Sequence, residues 1–389
     1  MVSLVSGRKN LRETEDLTDK LPICSRRWLG IKGRIPATTL RDTVVRLDPN
    51  DLRELLRCQS KAAHQRGELR SVELPLSVLA IDGKTTALNT FDDLFSQRRK
   101  LSDKHEHGVV RTLTCSLVSS RSRFCIDVNP IPPATNEMGH FKSTVNQLQE
   151  SYQGLDLFDL ISADAGLSSK ENGQFVVDKG LHYLFALKDP LSHLHQRAKE
   201  LLEALEAHQC RATTTDNLGR KYSVIRRLYQ SSQLAGQFGW PTLKTVTRLE
   251  SVKINNSTGE VVSHENRYFL SDLAENDLKA TQWLKLIRLH WFIENDCHGT
   301  LDTAFEEDTR PWIKADSQGF LVILVLRRIA LNLLSLFRNS VRNQVLRGTR
   351  LVKVAWKKLL GWCYLALLGA LEEEPLTTEE RGTPSITLV

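Results

Sequence analysis

LPLSVLAIDGK (74–84) is the stretch on which the fold turns. Val78, Leu79, Ala80 and Ile81 are consecutive apolar residues, and Asp82-Gly83 closes the run. A short apolar run bounded by turn formers reads as a buried strand. VVRTLTCSLVSS (109–120) and RFCIDVNPIPP (123–133) read as two more strands. NEMGHFKSTVNQLQESYQ (136–153) changes period, with Met138, Phe141, Val145 and Leu148 at helical spacing. LDLFDLISADAG (155–166) is a strand that again ends in an acid and two small residues. SKENGQFVVDKG (169–180) is helical up to Gly180, and LHYLFALKDP (181–190) is a strand broken by Pro190. Three strands, a helix, a strand, a helix and a strand make a mixed α/β sheet with helices on its faces, over 74–190.

Working outward, residues 1–73 are expected to be helical. LDPNDLRELLRC (47–58) carries the clearest start signal, with Asp48 as N-cap and Pro49 at the first helical position. Residues 191–275 begin with an amphipathic helix (192–208) and then turn strongly β. That stretch is expected to be a mainly β insertion, with turns at NLGR and NSTGE. Helical spacing returns over 276–371, and the polar tail 372–389 is expected to be disordered.

The 389 residues suffice for two or three domains, or for one large interrupted domain. Lys and Arg exceed Asp and Glu by 53 to 46, a net charge of +7 that favours an anionic partner. The seven cysteines include no C-x-x-C pair, which argues against a disulfide scaffold or a zinc ribbon. The N-terminus has no apolar signal core, and FLVILVL (320–326) and LLGWCYLALLGAL (359–371) fall short of a membrane span. Buried helices in a cytoplasmic protein are expected, with no membrane partner.

Asp82 and Asp164 both end apolar strands, the position where sites collect in α/β sheets. A third acid, Glu294, lies beside Trp291, Phe292 and Ile293 in RLHWFIENDCHGTLDTAFEED (288–308). Three carboxylates on separate elements can hold two Mg²⁺ ions, or Mn²⁺ in their place, for phosphodiester chemistry. Taken singly, an Asp before Gly is an ordinary turn former and Glu294 an ordinary helix charge.

The sequence resembles the bacterial DDE-type insertion-sequence transposases, and is similar to the group that includes the H-repeat-associated proteins. The resemblance rests on AIDGK (80–84), ATNEM (134–138), ADAG (163–166), HYLFALK (182–188), the RLHWFIEN…H…LD…FEED run (288–308) and LRRIALNLL (326–334). It implies a ribonuclease H-like core and catalytic acids Asp82, Asp164 and Glu294. It implies cutting at the element's terminal inverted repeats and transfer of the freed 3′-hydroxyl to target DNA, by a homodimer or larger assembly. It implies that Arg288 contacts phosphate or orients Glu294, with Lys84, His290, Asn295 and His298 contacting DNA or supporting the acids. Asp302 falls in the same matched run. The wider class has an Arg four residues before the Glu and a Lys seven after it; here those positions are His290 and Leu301.

Other readings compete at single residues. His290, Glu294 and His298 share a helical face and could be zinc ligands, although three ligands from one helix make poor tetrahedral geometry. Trp240 could stack a displaced base or simply pack in the insertion. The basic runs SQRRK (96–100) and RNQVLRGTRLVKVAWKK (342–358) could follow phosphates or be solvated surface. A non-catalytic DNA-binding derivative and a nuclease without strand transfer are the rival functions.

Overall fold

The computed structural model describes residues 1–90, 93–102, 105–188, 192–340, 344–347 and 350–369. Its centre is β1 (Val78–Leu88), whose alternating side chains feed two apolar layers. Leu79 and Ile81 face one layer and Val78 and Ala80 the other, as a strand buried on both faces requires. Antiparallel to β1 runs β3 (His105–Leu117), which also pairs with β2 (Ser96–Ser102) and β4 (Phe124–Pro130). On the other side β5 (Leu160–Ala163) runs parallel to β1, and β6 (His182–Leu187) parallel to β5. The helices α6 (Glu137–Ser151) and α7 (Lys170–Asp178) make the crossovers. This mixed sheet, with β1 central and helices on both faces, is the expected mixed α/β class.

The β insertion does not form a sheet of its own. After α8 (Ser192–Glu203) come β7 (Ala212–Leu218), β8 (Tyr222–Ser231), β9 (Thr245–Asn255) and β10 (Val261–Ser271). β10 pairs with β6, so the sheet continues as β1-β5-β6-β10-β9-β8-β7 and reaches ten strands among the described residues. SQRRK forms an exposed edge strand, which the sequence did not announce. Its Arg and Lys side chains hide the strand from a hydrophobic reading and protect the exposed edge from pairing.

The N-terminal region holds α1 (Val2–Val5), α2 (Leu11–Lys20), α3 (Ile23–Leu29), α4 (Ala37–Val44) and α5 (Pro49–Gln65). Asp48 caps α5 as expected, accepting from Asn50 N at 2.8 Å. α5 is welded to the sheet: Arg53 makes a fork of two 2.9 Å bonds to buried Asp127 of β4, and Arg57 adds a third. Burial opposes ionisation of Asp127, but the two guanidinium groups outweigh it and hold the carboxyl below its usual range.

The last part of the chain is less helical than its spacing suggests. α9 (Ala280–Leu289) runs into a π-helical turn at Ile293–His298, then α10 (Gly299–Thr303) and the long α11 (Ser317–Asn339). A short hairpin, β11 (Gln344–Arg347) and β12 (Arg350–Lys353), precedes α12 (Trp356–Leu367). The basic run 342–358 is therefore no continuous helix, and part of it, like the tail 372–389, lies outside the described residues. α11 is long and apolar enough to cross a membrane, yet 72% of its most apolar stretch is buried inside the protein.

A buried ionic knot joins this part to β1. Glu307, fully buried, accepts from Arg328 of α11, and its carboxylate lies 3.2 Å from Lys84 Nζ. Lys84 also reaches Asp302 at 2.6 Å and Asp308 at 3.2 Å. Burial pushes the Glu307 carboxyl up, but Arg328 and Lys84 outweigh it and bring it down to about 2. Lys84 is thus held by carboxylates of its own chain, an arrangement that suits the supporting half of its expected role better than contact with DNA.

Trp240 is likewise a core residue. Only 2% of it is exposed, it lies 6.2 Å from the Tyr183 ring, and Gly173 leaves it room: a Cβ there would come within 2.9 Å of its indole nitrogen. It offers no face to a displaced base.

Glu307→Ala strands two buried cations and should cost about 3–5 kcal/mol in urea unfolding. The depressed carboxyl contributes stability above its ordinary value of about 4.5 and loses it as pH falls toward about 2. Wild type should therefore destabilise over that window by more than Glu307→Gln does; equal acid sensitivity would refute the knot. Trp240→Ala should cost about 3–5 kcal/mol, and Trp240→Phe, which keeps much of the ring packing, should cost less; equal losses in urea unfolding would contradict the packing role.

Candidate active site

The parallel ladder between β1 and β5 ends at the pair Ile81–Ala163. The next residues are Asp82 and Asp164, which therefore stand side by side where the β1–β5 pairing ends; Asp164 follows β5 as expected, but Asp82 does not end its strand, because β1 runs on beside β3 to Leu88. Asp164 Oδ1 accepts from Leu167 N at 3.3 Å, and its carboxylate folds over Gly166, where a Cβ would come within 3.2 Å of it. Gly166 thus keeps the backbone clear of the Asp164 carboxylate.

Glu294 arrives on the π-helical turn and is exposed. Its approach is fixed from both ends. One turn before it, His290 Nδ1 lies 3.0 Å from Ser162 Oγ on β5, two residues before Asp164. One turn after it, His298 Nδ1 lies 3.3 Å from Asp82 Oδ2 on β1. The two histidines thus clamp the Glu294 turn across the two strands that bear the aspartates.

His290 is buried, and burial lowers its pKa despite the opposing charges of Asp82, Asp164 and Glu294. All three charges act on this imidazole, while the three acids themselves form no ion-sized group among the described residues. The Nε2 of His290 is buried without a partner among the described residues. For His298 burial also lowers the pKa, but the hydrogen bond to Asp82 leads the opposing influences and the net shift is upward.

These contacts also decide the zinc reading. His290 and His298 are turned to different strands, and no ion-sized group forms from them and Glu294 among the described residues. Asp302, Glu307 and Asp308 do come close enough to hold one ion. There, however, the Lys84 ammonium already occupies the centre at 2.6–3.2 Å, so those acids are neutralised from within.

Arg288 does not reach the acids. It pairs with Asp216 of β7 at 2.8 Å, where Arg226 of β8 also binds, and so ties α9 to the insertion. Leu301, where the wider class carries a Lys, is fully buried in the apolar layer under α11. Asn295 is exposed beside Glu294.

Two depressions meet at Glu294. One, of about 670 Å³, is lined by Asp164, His290, Trp291 and Glu294, with Lys188 and Lys199 facing them. The other is lined by Arg226, Lys253 and Arg267 of the insertion together with Trp291, Glu294 and Asn295. Arg267 covers the Trp291 ring at 4.3 Å and forms the wall common to both. The cations of the insertion were not singled out from sequence, because strands pairing with β6 could not be foreseen.

One more acid was missed. Glu137, in the quoted ATNEM, opens α6 and is half-buried. Burial raises its pKa, and the charges of Asp164 and then Asp82 raise it further. The signal available in the sequence was an acid beside the N-cap Asn136, which reads equally well as a helix-start charge.

The arrangement has clear relatives. The model of the transposase DDE domain family matches residues 73–333, a span that holds Asp82, Asp164 and Glu294. YncI of Escherichia coli O157:H7, named as a candidate transposase, is 26% identical over 202 residues. That match takes in 49% of this chain and 50% of YncI, so the chain spans about half the length of this curated relative. A solved structure, the piggyBac transposase synaptic complex with hairpin DNA, is 14% identical with a TM-score of 0.39, over 79% of this chain and 56% of that one. With well over half of its length matched, the chain belongs to the transposase DDE domain family.

Proposed function

We propose that this chain cuts DNA at the ends of an insertion sequence and joins the freed 3′-hydroxyl to target DNA, acting as a dimer or larger assembly. The observation that carries the reading is the clamp: β1 and β5 place Asp82 and Asp164 side by side, and His290 and His298 hold Glu294 across the same two strands.

The donor set suits Mg²⁺ or Mn²⁺. It consists of carboxylate oxygens, which hard dications prefer, and their mutual repulsion is relieved by positive charge. The orphaned His290 Nε2 beside them fits a polar occupant such as a bound water. Asp82, Asp164 and Glu294 would hold the ions, which when bound activate the attacking oxygen and stabilise the leaving one. The chain's own residues do the rest. His298 orients Asp82 through their 3.3 Å contact, and His290 fixes the height of Glu294 above β5. Lys188, Lys199, Lys253 and Arg267 line the depressions on either side of Glu294 and would take the phosphates of the strand.

Asp82→Asn, Asp164→Asn and Glu294→Gln should each remove several kcal/mol of charge stabilisation, or roughly 10³-fold in Mg²⁺-dependent nicking of end-containing DNA. DNA binding should be retained or tightened, since less negative charge faces the phosphates. Wild type nicking no better than Glu294→Gln would favour a non-catalytic DNA-binding derivative. Nicking without joined product, when target DNA is supplied, would favour a nuclease.

Binding should weaken steeply with salt. Lys253→Ala and Arg267→Ala should each flatten the log–log slope by about 1 and weaken all sequences alike. A slope unchanged in both variants would place the phosphates elsewhere.

A further inference from the structure

We infer that Arg123 is a positioning residue for Glu294, a role that presupposes the metal-dependent cutting proposed above and adds to it the group that grips the glutamate's turn from behind.

Arg123 stands immediately before β4, in the turn that follows β3. Two contacts of its side chain fall on the π-helical turn and its leading edge, and they are symmetric about Glu294. The guanidinium lies over the Phe292 ring, 3.2 Å from its centroid, and forms an ion pair with Asp296. Phe292 is two residues before Glu294 and Asp296 two residues after it. Two residues along a helix make about half a turn, so both partners stand on the back of the turn when Glu294 is at its front. His290 and His298 fasten the turn to β5 and β1 at its two ends. Arg123 fastens its back to the β3–β4 turn. Without the guanidinium the turn would keep both ends but could roll about the line between them, and the Glu294 carboxylate would swing with it.

The anchor is itself fixed to the sheet. Arg123 N donates to Ser120 O at 3.2 Å and to Ser120 Oγ at 3.1 Å. Ser120 Oγ in turn donates to Leu117 O at 2.8 Å, and Ser120 bridges to Ser71. The guanidinium is thus carried on backbone that moves with β3 and β4.

Stability alone does not account for an arginine at this position. Its φ is +49°, a left-handed conformation that is costly for any residue but glycine. Of its side chain 32% is exposed, and of that of Asp296 41%, and an ion pair so exposed adds little to stability. Glycine would relax the backbone, yet arginine stands there. A planar guanidinium can lie flat on an aromatic ring while it pairs with a carboxylate, which is the geometry needed to hold two points of one turn at once.

The test compares Arg123→Gly, which suits the backbone and removes the guanidinium, with Arg123→Lys, both in the full chain. Arg123→Gly should slow Mg²⁺-dependent nicking of end-containing DNA roughly 10–100-fold. Its DNA affinity, the salt slope of that affinity and its urea midpoint should stay at wild-type values. With neither metal nor DNA present, hydrogen exchange over residues 290–298 should speed up in this variant while the sheet strands keep wild-type exchange. Guanidinium ion at sub-denaturing concentration should restore part of the nicking lost in Arg123→Gly and should not accelerate wild type. Arg123→Lys can pair with Asp296 but cannot lie flat on Phe292, and should fall between the two. In a Glu294→Gln background, Arg123→Gly should cost nothing further. Wild-type nicking and wild-type exchange in Arg123→Gly overturn the inference. A salt slope flattened by about 1 also overturns it, because Arg123 would then hold a phosphate. A lowered urea midpoint without guanidinium rescue overturns it too, since that marks an arginine needed only for folding. Wild type nicking no better than Glu294→Gln overturns the cutting reading and this inference with it, a failure visible without any Arg123 variant.

Discussion

The fully buried carboxylate of Glu307, held between Lys84 and Arg328, is the contact on which the rest of the site depends. An ion buried in this way costs several kcal/mol unless every charge finds its partner. That requirement makes the knot geometrically exacting. Lys84 lies two residues beyond Asp82 on β1, so it points to the same face of the strand. Arg328 is midway along α11, and Glu307 is on the segment that joins α10 to α11. When the three meet, the strand bearing Asp82 is fixed against the helical segment that begins with Glu294. The FEED and LRR portions of the sequence therefore contribute to placement and not to chemistry.

The same logic runs through the clamp around Glu294. A regular α-helix puts residues four and eight apart on nearly one stripe, drifting by about a ninth of a turn every four residues. The π-helical turn at Ile293–His298 absorbs an extra residue at this point. His290 can then reach β5 while His298 reaches β1, and Glu294 projects between them. In the wider class the residue four before the glutamate is basic. Here a neutral, buried His290 stands in its place and bonds to Ser162. The positive charge is supplied from the insertion side, where Arg267 and Lys253 line the groove next to Glu294.

The legible part of the fold was the part built from local signals. Consecutive apolar residues ending in Asp82 and in Asp164 gave both strands, and Asp48-Pro49 gave the start of α5. What could not be read was pairing over long separations. Nothing in residues 261–271 announces that they add to β6, so the insertion looked like a separate β unit instead of the far half of one sheet. β2 was hidden because its edge position selects Arg and Lys over Val and Ile. The site followed the same division. The sequence singled out Asp82 and Asp164 after apolar runs and Glu294 with the resemblance, whereas the partners of Lys84 and Arg288 could not be read from it. A lysine after Asp-Gly and an arginine before His-Trp look like phosphate ligands until their distant carboxylates are known.

Glycine positions make the remaining distinction between acids with a cation of their own and acids without one. Buried Asp127 and Glu307 have guanidinium or ammonium partners and depressed pKa values. Glu137 shows the opposite pattern, with a raised pKa and no cation bonded to it. The residue beneath it is Gly83, where a side chain would clash, and Gly166 gives similar clearance beneath Asp164. Gly83 sits inside β1 and Gly166 in the turn after β5, so turn formation does not account for both. Clearance below Asp164 suits the proposed site, where the missing positive charge would come from outside the chain.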